Sequence, residues 1–131
     1  IDGRDQAAWI VECMQRNVTG VFNVTGEITD LGMVLDTARE VSGSDARPVW
    51  IDAETLVENE VVPWMDLPLW LPDEALGMMQ VSTARAAAEG LRTRPIADTI
   101  RDIIEWHHGD PEQLLVGLKP ERERELLEKL G

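Results

Sequence analysis

Few residues in this chain have the chemistry of a reactive site. His107 and His108 are its two histidines, and they are adjacent. Neighbouring residues on a helix point about 100° apart, so the pair chelates one ion poorly. At a helix end both suit the carboxyl-terminal dipole instead. Cys13 is the single cysteine, which excludes an internal disulfide. It stands beside Ile10 and Met14 in a helical pattern, with no local cation to activate it, and reads as a packing thiol. No two carboxylates stand out as an acid and base pair. Ser82 has no histidine within local reach and reads as a helix cap. No catalytic or metal-ligating residue is assigned.

The side chains best suited to meeting a ligand are apolar. Residues 61–72 read Val-Val-Pro-Trp-Met-Asp-Leu-Pro-Leu-Trp-Leu-Pro. The prolines remove backbone donors and block regular structure. A loop this apolar either packs on something or leaves an exposed patch that marks a binding site. Its large members are Pro63, Trp64, Met65, Leu67, Leu69 and Trp70. Of the other tryptophans, Trp9 and Trp106 sit in helical patterns and suit packing, and Trp50 alternates with Val49 and Ile51.

The elements that hold these residues follow from periodicity and punctuation. Residues 4–16 form a helix with Ala7, Ile10, Val11 and Met14 marking one face and Asp2 or Asp5 as its cap. Residues 21–24 are a short strand of β-formers. A helix starting at Thr29 or Asp30 carries the stripe Leu31, Val34, Leu35, Ala38 and Val41 and stops at Gly43. Residues 48–52 are a second strand, and Asp52 caps a short helix over 53–59. Residues 78–81 are a third short strand. Ser82 caps a helix over 83–89 that ends at Gly90; Pro95 opens one with the buried stripe Ile96, Ile100, Ile103 and Ile104, closed by Gly109 and Pro111. Pro120 opens a last helix with Leu126, Leu127 and Leu130 on one side. Helix alternating with strand predicts an α/β fold, helices packed on a small, mostly parallel sheet.

The 131 residues suffice for one domain, and 44% are hydrophobic. The formal net charge of −13 repels nucleic acid and anionic lipid, and no basic stripe offsets it. No apolar run reaches the roughly 20 residues of a membrane span. The first residues lack the pattern of a signal peptide, and the expectation is a cytoplasmic protein. Two N-x-T sequons occur, at Asn17 and Asn23, and the second falls in an expected buried strand with no room for a glycan. Ile1 reads as the end of a strand, which suggests a piece of a longer protein.

Four segments, in order, resemble the carboxyl-terminal third of the NAD-dependent epimerase/dehydratase family, the extended short-chain dehydrogenases. They are Ile1-Asp2-Gly3-Arg4-Asp5-Gln6-Ala7; Gly20-Val21-Phe22-Asn23-Val24-Thr25-Gly26 with its following helix; Ser82-Thr83-Ala84-Arg85 through Gly90-Leu91; and Arg94-Pro95-Ile96 with Thr99-Ile100-Arg101-Asp102 and Trp106. The likeness spans residues 1–108, a substrate-side domain, and leaves 109–131 as a helical extension. It implies a small-molecule substrate and places 61–72 beside the substrate cleft, with Pro63, Trp64, Met65, Leu67, Leu69 and Trp70 lining it.

The same likeness marks what is missing. The family binds NAD or NADP on a Gly-rich turn and uses a Tyr with a Lys four residues later. The ten glycines here make no such fingerprint, and there is no Tyr. Gln80 and Thr83 stand where family members carry Asp and Lys, and no Lys or Arg lies between Arg47 and Arg85 to hold a diphosphate. The expectation is a portion inactive alone, needing no cofactor of its own and partnered by a nucleotide-binding domain of the same chain. Uncovered, it is expected to self-associate. The rivals are a stand-alone acidic interaction or dimerisation domain and a small enzyme of unrelated mechanism.

Overall fold

The first three helices begin where an aspartate side chain satisfies an early backbone donor. The computed structural model describes residues 1–107 and 117–130. Helix α1 (Gly3–Gln15) is capped by Asp2, whose carboxylate accepts from the Arg4 N–H. Helix α2 (Leu31–Ser42) is capped by Asp30, which accepts from the Met33 N–H, and ends at Gly43 in a left-handed conformation. Asp52 caps α3 (Ala53–Glu58) through the Thr55 N–H. A 3-10 helix follows (Asp73–Met79), then α4 (Ala84–Ala88), α5 (Ile96–His107), which starts directly after Pro95, and α6 (Pro120–Leu130). Thr83, not Ser82, flanks the start of α4; the Ser82 hydroxyl accepts from the Ala84 N–H at a long 3.4 Å. His108, and the Gly109 and Pro111 expected to close α5, lie outside the described residues.

The expected mostly parallel sheet is absent: among the described residues there is no strand ladder, only one isolated bridge between Pro63 and Leu67. The chain is therefore not the α/β fold that alternation predicts. Residues 21–24 and 48–52 run without helix or ladder, and Met78 and Met79 belong to the 3-10 helix. β-Propensity describes fitness for a pleated surface, and a strand exists only where a second one pairs with it. Residues 21–24 are held by side-chain-to-backbone hydrogen bonds instead. Arg85 donates to the Val21 carbonyl, and the exposed Asn23 donates from its amide to the Ser82 carbonyl.

Two small apolar centres hold the helices. At the first, Trp9 on α1 is buried, meets Phe22 edge-on at 5.3 Å and donates its indole N–H to the Glu89 carbonyl. Arg16 donates to the same carbonyl and pairs with the Glu89 carboxylate, so α1 is tied to the end of α4. At the second, Leu56, Val61 and Leu126 are buried together, with Ile51, Leu67, Trp70, Leu118 and Leu130 packed around them. Helices α2 and α5 pack against each other.

These centres leave much apolar surface uncovered. Ile10, Val11 and Met14, which share one apolar face of α1, are exposed, Met14 at 73%. Ile96, Ile103 and Ile104 of the expected buried stripe on α5 are exposed as well. The chain presents 10083 Å² of accessible surface. A folded monomer of its 14.7 kDa mass presents about 6,900 Å².

Candidate functional site

The apolar loop is anchored by its own backbone. The Trp64 N–H donates to the Trp70 carbonyl at 3.1 Å, the Asp66 N–H to the Val62 carbonyl at 2.9 Å, and the Trp70 N–H to the Leu67 carbonyl at 3.2 Å. The Asp66 carboxylate closes the ring by accepting from the Val62 N–H at 2.8 Å. Trp64 and Leu69 adopt φ of 66° and 70°, the left-handed region. For residues with a large side chain this conformation costs about 1–2 kcal/mol each, and it persists only where the surroundings over-determine it.

This winding sorts the candidate residues into two groups. Leu67 and Trp70 turn inward onto the Leu56, Val61 and Leu126 centre, where their burial anchors the loop. Trp64, Met65 and Leu69 remain 45%, 53% and 51% exposed, and Pro63 is half-buried. Helix α6 supports the loop from behind. The Gly117 N–H donates to the Met65 carbonyl at 2.7 Å, Leu126 fills the centre under Trp70, and Arg122 and Lys129 both donate to Asn59 at the end of α3. The structure thus brings the six predicted residues together, and presents three of them outward.

Two open grooves lie elsewhere and do not include this loop. One of about 430 Å³ is lined by Trp9, Ile10, Cys13, Met14, Val18 and Phe22. Cys13 is half-buried there among apolar neighbours. The other, about 400 Å³, lies between the start of α1 and the face of α5 that carries Thr99, Ile103 and Trp106.

Beside the second groove is a charge cluster that sequence reading does not pair. Asp2 accepts from Arg4 through its side chain and backbone and from the Thr99 hydroxyl, and Arg4 also reaches Asp102. Asp5 accepts from the Arg94 guanidinium and from the Arg94 backbone N–H. The Arg4 side chain, above all, holds the Asp2 carboxyl well below the usual carboxylate range, and the Arg94 side chain lowers that of Asp5. Carboxyls kept ionised this firmly do not serve as general acids; they act as a clamp between α1 and α5. The only hint in sequence is that Asp2, Asp5, Arg94 and Thr99 all fall in family-like segments.

Among the described residues no glycine turn between a strand and a helix offers a dinucleotide its usual cradle. A pyrophosphate needs glycines at a strand-to-helix turn and a free helix N-terminus. Here the first donors of α1 and α2 face Asp2 and Asp30, and the described left-handed glycines are Gly20, Gly43, Gly90 and Gly117. Among the described residues no group of three His, Cys, Asp or Glu is placed to hold a metal ion, and no helix is long and apolar enough to cross a membrane. No protein-family model, no curated protein and no solved structure matches this chain.

Proposed function

We propose that this chain is the substrate-side portion of an NAD(P)-dependent epimerase- or reductase-like oxidoreductase, whose nucleotide-binding domain covers the open face of α1 and supplies the chemistry. One observation carries this reading. The face of α1 that periodicity marks for burial, Ile10, Val11 and Met14, is exposed, while Trp9 beside it is buried. An amphipathic helix keeps an apolar stripe because something covers it. The four ordered family-like segments name the kind of partner, and the absence of Tyr leaves the proton donor to it.

In this reading the chain's own residues bind and position. The Asp2, Asp5, Arg4 and Arg94 clamp fixes α1 against α5, and the 62–70 loop shapes one wall of the cleft. The test begins with the coding frame ahead of Ile1. It is expected to encode a Gly-rich turn and a Tyr-x-x-x-Lys. The protein expressed with that segment is expected to oxidise NADPH with carbonyl compounds and to protect Met14 from peroxide, whereas the chain alone does neither. A frame lacking both motifs, or turnover by the chain alone, overturns the proposal. In the first case the open face belongs to a partner protein or a second copy.

A further inference from the structure

We draw no further inference here: the strongest candidate, the open apolar groove of about 430 Å³ between the carboxyl-terminal half of α1 and residues 17–22, belongs to the α1 face already given to the proposed partner domain, and nothing in the structure shows what covers it.

Discussion

Arg94 and Asp5, 89 positions apart in the chain, meet at 2.7 Å, and the backbone N–H of Arg94 donates to the second oxygen of the same carboxylate. The pair joins the first turn of α1 to the turn that opens α5. Asp2, one turn away, receives the Thr99 hydroxyl from α5 and the Arg4 side chain from its own helix. Two carboxylates with small exposed areas thus tie the start of α1 to α5.

The clamp makes stability depend on acid. Arginine partners lower the folded-state pKa of Asp2 and Asp5, while the unfolded chain titrates near an ordinary value of about 3.9. The stabilisation is therefore complete above that value and is lost as pH falls through the lowered folded values. Asp5→Asn is expected to lower the unfolding temperature at pH 7 and to unfold over a flatter pH profile. The gap to the unaltered chain begins to narrow below about pH 4, where the unfolded carboxyl takes up its proton, and it closes as the folded Asp5 titrates at its lowered value. Thermal unfolding from pH 7 to pH 3 checks this; a gap that stays constant across the range refutes the assignment.

Leu126 is 4% exposed at the centre that anchors the apolar loop, whereas Leu127 beside it is exposed. Truncating a buried leucine costs about 2–5 kcal/mol, and less where neighbours collapse into the space. Leu126→Ala is expected to cost about 3 kcal/mol and to shift the emission of the loop tryptophans to the red. Leu127→Ala is expected to cost less than about 1 kcal/mol. Urea unfolding compares the two, and equal losses would show that α6 is not seated by Leu126.

Local signals were readable in the sequence and long-range ones were not. Asp30, Asp52, Gly43 and Pro120 mark helix ends through contacts within a few residues, and each stands where its type predicts. Val21 and Val49 suit strands equally well, but pairing is a property of a second segment, and the described chain supplies none. Periodicity finds the apolar stripe of α1 without saying what covers it, and the structure leaves Ile10 and Met14 exposed. The loop was readable as apolar. Its division into inward Leu67 and Trp70 and outward Trp64, Met65 and Leu69 was not, because two left-handed residues break any repeating pattern.

Leu69 tests whether the loop's strain serves the exposed face. Its φ of 70° suits Asn far better than Leu, since Asn enters the left-handed region at little cost. Leu69→Asn is expected to raise stability by about 0.5–1 kcal/mol. Chemical unfolding reads the effect. A loss of stability greater than about 1 kcal/mol would mean that the side chain is held for packing alone.

The uncovered apolar surface also sets how the chain behaves in concentrated solution. Val21, Ile28, Met14 and Trp106 are each largely exposed, and residues 21–24 carry no strand ladder. Their contact between copies removes apolar area from water, and unpaired extended backbone can add hydrogen bonds across the interface. A net charge of −13 on every copy opposes this association. Salt shortens the reach of that repulsion from about 10 Å at 0.1 M to about 3 Å at 1 M and strengthens apolar contact when the anion is sulfate. Self-association is therefore expected to increase with sodium chloride, and further with sodium sulfate. Sedimentation velocity across a concentration series reads it directly. A single monomeric boundary at every concentration in both salts would show that this surface is not adhesive, and association that weakens with salt would place its origin in charge pairing instead.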